Sequence, residues 1–178
     1  MAFSHSDLTH RAREYALSAH GDQQYGDKPY SFHLDAVAGQ ASAALLGDET
    51  FVVVAYLHDV VEDTDTTLAD LEAHFGSEVA LAVSYVTDEP GKNRRERKAA
   101  THAKLALVDE TTRAGRLALV VKLADRVSNV RSCVVDKKAG LLDMYRKEQE
   151  VFRKAVAREG LAEGLWYVLE ELLSREVA

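Results

Sequence analysis

Hydrophobic and polar positions along this chain recur mainly with the period of an α-helix, and the residues that favour turns fall between the periodic segments. Only two prolines interrupt the pattern. We therefore predict an all-α fold, a compact bundle of many helices. The predicted helices cover about residues 7–20, 32–46, 49–62, 68–75, 77–87, 94–110, 113–134, 141–159 and 161–175.

Several of the predicted helix ends carry residues that start or stop helices. Gly47, Gly76 and Gly160 are small residues that accept the left-handed backbone conformations common at helix C-termini. Thr67 followed by Asp70 has the spacing of a capping box, which opens a helix. These residues place helix boundaries where the hydrophobic period also changes.

Two apolar runs, Phe51–Leu57 and Leu117–Leu123, are rich enough in β-branched residues to resemble strands. Each run continues without a glycine or proline into polar residues at helical spacing. We therefore predict that both runs are buried helices.

Length and composition indicate one globular domain. The chain has 178 residues, of which 47% are hydrophobic, and this is enough for a sizeable core. No stretch approaches the roughly 20 apolar residues that span a bilayer, and the first residues lack the apolar segment of a signal peptide. The single Cys133, which we expect to be buried, fits a reducing compartment. We predict a cytoplasmic protein that does not bind a membrane.

The formal net charge of −7 excludes one class of partner. A protein that holds long nucleic acids by neutralising phosphates needs a positive surface, so we expect no such partner here. A small anionic substrate is still compatible with this charge. A metal ion or a local basic cluster would then have to attract it.

The block Leu57–Thr64, LHDVVEDT, concentrates groups that can bind metal ions. His58 and Asp59 precede the adjacent acids Glu62 and Asp63 by one helical turn, so these side chains crowd one end of a helix. Three acids without a basic partner beside a buried run are unfavourable, and a bound cation would offset that cost. For an isolated His-Asp pair, solvated acids and a packed histidine are the more common arrangement.

Two distant segments add further candidate ligands. His33 follows a turn at Pro29, which would present the ring at the start of a helix. Asp125 lies on an otherwise apolar helix, four residues before Asn129. Alternatively, a neighbouring lysine or arginine, Lys122 or Arg126, could pair with this aspartate without any metal.

The candidate ligands from the three segments form a mixed nitrogen and oxygen set. Two imidazoles and two carboxylates suit Mn²⁺, Fe²⁺, Zn²⁺ or a similar divalent ion. The set consists of His33, His58, Asp59 and Asp125.

The order of these motifs resembles the HD superfamily of metal-dependent phosphohydrolases. More closely, the chain is similar to the hydrolase domain of RelA/SpoT-like proteins and to single-domain alarmone hydrolases. The similarity covers about residues 7–131 and lies in GDKPYSFH, LHDVVEDTDTTLADLEAHFGSEV, VTDE, NRRERK and VVKLADRVSNVR. We therefore expect a single HD domain over residues 1–178, with a motif-bearing core at about 7–131 and C-terminal helices at 138–175.

The resemblance implies an all-helical HD-domain bundle that releases pyrophosphate from the 3′ position of guanosine tetra- and pentaphosphate, (p)ppGpp. It implies one divalent metal ion, usually Mn²⁺, held by His33, His58, Asp59 and Asp125. By motif position, Glu62 and Asp63 match an acidic pair that activates water. Asn129 matches a position that contacts the substrate.

The resemblance also implies contacts to the substrate. Arg94, in the basic run Lys92–Lys98, falls where single-domain hydrolases carry a phosphate-binding lysine, although such a run can also be a solvated helix face. Arg146 and Lys147 are weaker candidates for the phosphates. Lys28, in the turn before His33, is a further predicted substrate contact.

The chain departs from the family pattern at Gln24 and Tyr25, where alarmone hydrolases usually carry an Arg-Lys pair that embraces guanine. We predict that the Tyr25 ring stacks on a base and that Gln24 donates a hydrogen bond to its edge. A smaller departure is Leu34, where the family commonly has proline.

Three alternatives to an alarmone hydrolase follow from these observations. A phosphatase or phosphodiesterase acting on another nucleotide, NADPH-like or a deoxynucleotide, would keep the site and change the substrate. A non-catalytic nucleotide sensor should lack a ligand or an acid, and none is missing. A di-iron HD oxygenase needs further imidazole ligands, and the remaining histidines show no paired spacing of that kind.

Overall fold

The computed structural model describes residues 5–44 and 48–177. The prediction of an all-α fold is confirmed for these residues. The helices are α1 (His5–His20), α2 (Ser31–Ala44), α3 (Thr50–Leu57), α4 (Val60–Asp63), α5 (Leu68–Phe75), α6 (Ser77–Val86), α7 (Arg94–Ala106), α8 (Arg113–Val135), α9 (Ala139–Val156) and α10 (Glu163–Ser174).

A short antiparallel ribbon is the exception to the helical pattern. It consists of β1 (Gln24–Tyr25) and β2 (Lys28–Pro29), in which Gln24 lies opposite Pro29 and Tyr25 lies opposite Lys28. Gly26 turns the chain between the strands with a positive φ of 67°. The ribbon leads directly into α2 and therefore sets where the first residues of that helix lie.

The helix boundaries follow local hydrogen bonding. At the start of α5, the Thr67 hydroxyl accepts from the Asp70 backbone N–H, and the Asp70 carboxylate accepts from the Thr67 backbone N–H, which is the predicted capping box. Gly76 and Gly160 have positive φ angles of 91° and 72°, as expected at helix ends. The third predicted stop, Gly47, lies outside the described residues.

Helix α8 lies at the centre of the core, and α2, α3, α6, α9 and α10 all pack on it. Both apolar runs are buried helices, as predicted. Val53, Val54 and Leu57 of α3 and Leu117 of α8 have no exposed surface. Each such side chain contributes about 1.5–3 kcal/mol relative to an exposed one, so the helix that carries Asp125 is firmly held.

The structure corrects the prediction of one continuous helix over 49–62. Helix α3 ends at Leu57, and α4 begins only at Val60. Between them, Asp59 adopts φ −104° and ψ −6°, away from regular helical angles. The Asp59 carbonyl accepts from the N–H groups of Glu62 and Asp63, so the break redirects the chain while its backbone groups stay paired.

The single cysteine and the apolar character of the helices can be compared with the predictions from composition. Cys133 is buried and has a free thiol, as predicted. No helix among the described residues combines the length and the apolar character that a membrane crossing requires.

Candidate active site

Three separate parts of the chain meet at one cluster of ligand-type side chains. His33 comes from the first turn of α2, His58 and Asp59 from the break between α3 and α4, and Asp125 from the middle of α8. One ligand atom each from His33, His58 and Asp125 lies within 4.8 Å of the others. The packing of α2 and α3 on α8 therefore brings the predicted ligands together.

The ring nitrogens of both histidines point at carboxylate oxygens. His33 Nε2 lies 3.4 Å from Asp125 Oδ1 and 3.6 Å from Asp59 Oδ2. His58 Nε2 lies 2.9 Å from Asp59 Oδ2 and 3.9 Å from Asp125 Oδ1. Each of the two ring nitrogens thus lies within 4 Å of an oxygen of both carboxylates.

The hydrogen bonding of His58 tests whether this cluster suits a metal ion. Nδ1 of His58 lies 2.7 Å from the Ala55 carbonyl, which can only accept, so Nδ1 carries the proton. In the neutral ring, Nε2 then presents a lone pair. This nitrogen is buried, has no hydrogen-bond partner among the described residues and faces two carboxylates. A divalent cation would satisfy all these atoms, so the residues fit a metal site.

The charges of the cluster depend on one another. Burial alone would raise the pKa values of Asp59 and Asp125, but His33 and His58 hold both well below the ordinary value. Burial opposes the charging of His33, yet hydrogen bonds to Asp125 and Asp59 raise its pKa to about 9. The carboxylates therefore attract positive charge strongly at this point, whether from protons or from a metal.

Neighbouring polar groups orient both carboxylates. The Tyr30 hydroxyl donates to Asp59 Oδ2 at 2.6 Å, and the Asn129 amide donates to Asp125 Oδ1. Sequence reasoning did not identify Tyr30 as a site residue. Its position three residues before His33, and thus one helical turn away, is the signal that could have found it.

The predicted acidic pair lines the same cavity as His33, Asp59 and Asp125, which has a volume of about 180 Å³. Glu62 Oε2 accepts from the Asp88 backbone N–H at 3.1 Å. The Glu62 side chain is exposed at this cavity. Partial desolvation of its carboxylate by the cavity wall, together with the nearby Asp88 charge, raises its pKa above the ordinary value. Glu62 can therefore take up a proton more readily than a free glutamate.

Asp63 is held by a residue that sequence reasoning missed. Gln23 Nε2 donates to Asp63 Oδ2 at 2.8 Å, and the other end of the same amide lies 2.8 Å from His20 Nδ1. Gln23 directly precedes the ribbon. No motif marks it, because its contact with Asp63 spans 40 residues.

Lys98 and Lys122 are the lysines that line this cavity. Lys98 Nζ lies 2.7 Å from Asp88 Oδ2, and Lys122 Nζ lies 3.9 Å from Asp88 Oδ1 while donating to the Val86 carbonyl at 2.9 Å. Asp88 is itself buried, with 4% of its side chain exposed. These two lysines place positive charge at a cavity that is also lined by acids.

Arg94 lies beside the cavity, at a second, smaller one that Asp125 and Asn129 also line. Its guanidinium forms an ion pair with Glu148 of α9. Arg126 lies 3.4 Å from the same carboxylate and packs between the Tyr145 and Phe152 rings. The predicted phosphate contact is thus close to the cluster but paired with a carboxylate.

The other predicted substrate contacts differ in where they lie. Tyr25 and Asn129 line the main cavity. Gln24 is exposed and donates to the Asp22 carbonyl at 3.2 Å. Lys28 lies over the Phe32 ring, 3.7 Å from Asp136.

The two weaker candidates on α9 also separate. Arg146 donates to the Leu173 carbonyl at 2.8 Å and so ties α9 to the end of α10. Lys147 lines a groove between α7 and α9 with Arg94, Arg95 and Lys98. Of the two, only Lys147 therefore lies near the basic run.

Comparison with known proteins identifies a family and several similar proteins. Residues 12–162 match the HD domain family. The chain is 33% identical over 147 residues to the guanosine-3′,5′-bis(diphosphate) 3′-pyrophosphohydrolase MESH1 of Drosophila melanogaster, covering 80% of this chain and 79% of that protein. It is 30% identical to the enzyme of the same activity from Aquifex aeolicus, over 94% of this chain but only 23% of that longer protein.

A solved structure agrees with these relatives. The structure is described as that of a metazoan ortholog of SpoT that hydrolyses ppGpp, and it superposes with a TM-score of 0.75 at 28% identity. The match covers 96% of both chains.

The helical bundle and its cluster of histidines and aspartates define a metal-dependent hydrolase. The chain belongs to the HD domain family. The resemblance seen in the sequence motifs is therefore confirmed.

Proposed function

We propose that this chain is a guanosine-3′,5′-bis(diphosphate) 3′-pyrophosphohydrolase. The observation that carries the proposal is a similarity to MESH1 over most of both chains, combined with the close approach of the His33 and His58 rings to the carboxylates of Asp59 and Asp125. The structural neighbour, which hydrolyses ppGpp, supports the same conclusion.

The metal is proposed to be Mn²⁺, held by His33, His58, Asp59 and Asp125. The mixed imidazole and carboxylate set suits this ion. A divalent ion bound there supplies Lewis acidity, which lowers the pKa of water and stabilises charge on a phosphate oxygen. Tyr30 and Asn129 would keep Asp59 and Asp125 aimed at it.

Glu62 is proposed as the general base and Asp63 as the group that orients the attacking water. The raised pKa of Glu62 suits proton uptake, and Gln23 keeps Asp63 in place. The water oxygen bonds to the phosphorus attached to the 3′ oxygen, and the bond between that phosphorus and the 3′ oxygen breaks. The 3′ oxygen takes up a proton, so the products are guanosine 5′-diphosphate and pyrophosphate.

Lys98 is proposed to contact a phosphate of the substrate. It is a cation of the predicted basic run that lines the cavity of the ligands, and Asp88 holds its ammonium group there. Arg94 would join it only by exchanging Glu148 for phosphate oxygens.

Replacing Lys98 with methionine should lower kcat/KM for ppGpp by roughly tenfold or more, because a charge-assisted hydrogen bond contributes about 1.5–3 kcal/mol. Methionine keeps most of the aliphatic stem and removes the charge. Lys92→Met, an exposed residue of the same basic run, is the matched control and should leave kcat/KM unchanged. Equal losses in the two variants would show a general charge effect and remove Lys98 from the site.

The substrate is tested by incubating the purified chain and Mn²⁺ with ppGpp, pppGpp, NADPH and deoxynucleoside triphosphates. We expect pyrophosphate and guanosine 5′-diphosphate from ppGpp, and no turnover of any nucleotide after chelation of the metal. Cleavage of another nucleotide under conditions that leave ppGpp intact would reject the proposal.

One observation favours a second candidate, a phosphatase or phosphodiesterase for another nucleotide. Gln24 and Tyr25 replace the Arg-Lys pair that the resemblance implies for guanine binding, and both side chains have partners within the protein. Gln24 bonds to the Asp22 carbonyl, and Tyr25 stacks on His33. The nucleotide panel separates the two candidates.

We further propose that the chain acts as one domain in the cytoplasm. Helices α9 and α10 both pack on α8, which carries Asp125 and Asn129. The C-terminal helices are thus part of the same core as the site. A reduced, buried Cys133 is compatible with a cytoplasmic location.

A further inference from the structure

Tyr25 contacts two of the proposed metal ligands, one directly and one through an amide. Its ring stacks on the His33 ring, with 4.7 Å between the centroids and 13° between the planes. Its hydroxyl donates to Asn129 Oδ1 at 2.8 Å, and Asn129 Nδ2 donates to Asp125 Oδ1. The half-buried Tyr25 side chain therefore contacts His33 of α2 directly and is linked to Asp125 of α8 through Asn129.

The hydroxyl of Tyr25 decides which way the Asn129 amide faces. An amide presents an acceptor on one side and a donor on the other, and here the acceptor is used by Tyr25. The donor side is thereby turned toward Asp125 Oδ1. That oxygen is also the one that lies 3.4 Å from His33 Nε2, so it faces the centre of the cluster.

The ring of Tyr25 restrains the imidazole of His33 by stacking on it. One face of the ring lies against the imidazole, and the ring forms a T-shaped contact with Tyr30, with 6.3 Å between the centroids. Tyr30 in turn donates to Asp59. The ribbon that carries Tyr25 thus packs directly on the residues that would hold the metal.

We propose that Tyr25 is a positioning residue of the metal centre, acting on His33 through its ring and on Asp125 through Asn129. This inference rests on the ligand set of the proposed function. It replaces the expectation that Tyr25 mainly stacks on a nucleotide base. At a position where the sequence resemblance implied a contact to the nucleotide, the structure places a side chain that contacts the proposed metal ligands.

The test is the affinity of the metal-free protein for Mn²⁺, measured by calorimetry in the absence of any nucleotide. Tyr25→Phe removes the hydroxyl and keeps the ring, and we expect it to weaken Mn²⁺ binding by about tenfold, the usual scale for a group that supports a ligand. Tyr25→Ala removes the ring as well and should weaken binding further. Tyr167→Phe, the same change at an exposed tyrosine, is the control and should bind Mn²⁺ as the wild type does.

A double-mutant cycle separates this role from a merely structural one. In the Asn129→Ala background the hydroxyl has lost its partner, so adding Tyr25→Phe should cause no further loss of Mn²⁺ affinity. Loss of the same size in both backgrounds would overturn the route through Asn129. Thermal unfolding of the metal-free variants serves as the check that each one folds.

Turnover at saturating Mn²⁺ completes the test. If Tyr25 positions the metal ligands, excess Mn²⁺ should restore the kcat of Tyr25→Phe and leave KM unchanged. Unchanged Mn²⁺ affinity with a raised KM would overturn the inference and return Tyr25 to a base-holding role. The Mn²⁺ affinity is measured without nucleotide, so it does not depend on the identity of the substrate. If Tyr25→Phe weakens Mn²⁺ binding and the wild-type protein cleaves a nucleotide other than ppGpp, the proposed function is rejected and this inference stands.

Discussion

Asp125→Ala is expected to remove both the bound metal and the hydrolytic activity. Asp125 Oδ1 lies 3.4 Å from His33 Nε2 and 3.9 Å from His58 Nε2, so it closes the cluster from the side of α8. Without it, two imidazoles and Asp59 remain, with less negative charge to hold a divalent ion. Loss of the Lewis acid should cost several kcal/mol of transition-state stabilisation, or about three orders of magnitude in kcat.

This prediction is checked by measuring metal content after dialysis and ppGpp turnover on the same sample. Asp143→Ala is the control, since its carboxylate is 57% exposed on α9 and pairs with Arg146. That variant should keep full metal content and activity. Full metal occupancy in Asp125→Ala would contradict its role as a ligand, and unfolding of the metal-free variant would be visible in its circular dichroism spectrum.

Three candidate residues of the cluster, His58, Asp59 and Asp125, have a local mark in the sequence. His58 and Asp59 directly follow the apolar run Phe51–Leu57, and Asp125 lies two residues after the run Leu117–Leu123 on the same predicted helix. Polar groups of this kind are unfavourable among buried neighbours unless something pairs with them. The mismatch identified the residues, and the motif order then indicated that they belong to one site.

The break between α3 and α4 left no such mark. The segment around His58 and Asp59 contains neither glycine nor proline, and its apolar spacing continues through Val60. Asp59 departs from helical angles while Tyr30 and His58 hold its carboxylate. Because these contacts come from tertiary structure, the helical period alone predicted a continuous helix.

The two-stranded ribbon could not be predicted from the sequence either. Strands of two residues, Gln24–Tyr25 and Lys28–Pro29, are too short for any alternation of polar and apolar positions to appear. The sequence indicated a turn at Pro29, whereas the chain turns at Gly26 and Pro29 lies within β2. The sequence could not indicate that Tyr25 stacks on His33, eight residues later.

Contacts between distant residues account for the remaining differences. Arg94 forms an ion pair with Glu148, 54 residues away, and Tyr25 donates a hydrogen bond to Asn129, 104 residues away. Each residue alone has the chemistry of a substrate contact, and only the fold reveals a protein partner. Sequence therefore predicted the reaction class better than the recognition of substrate, since the class depends on residue type and recognition depends on which side chains stay available.

Asp88 links the proposed base to the proposed phosphate contact. Its backbone N–H donates to Glu62 Oε2, while its carboxylate holds Lys98. Lys122 and Lys98 lower the pKa of Asp88 more than its burial raises it, so the carboxylate stays charged. That negative charge in turn contributes to the raised pKa of Glu62. Asp88 thus contributes to the raised pKa of Glu62, the proposed base, and also holds Lys98, the proposed phosphate contact, in place.

Glu62→Gln is expected to keep the metal and lose hydrolysis. Glutamine has the shape of glutamate, and its amide oxygen can still accept from the Asp88 N–H, so the cavity should not change. Its side chain cannot take up a proton at neutral pH. Removing a general base lowers kcat by roughly 10²- to 10⁴-fold, whereas KM should stay close to the wild-type value because the phosphate contacts remain.

Metal content and single-turnover hydrolysis of ppGpp, measured on the same preparation, check this expectation. Glu72→Gln, the same change at an exposed residue of α5, should match the wild type in both. Loss of metal from Glu62→Gln would make Glu62 a ligand, and near-normal turnover would leave Asp63 as the remaining carboxylate able to accept the proton. Together with Asp125→Ala, which should lose metal and activity at once, the pair of variants separates the residues that hold the cation from those that handle the water.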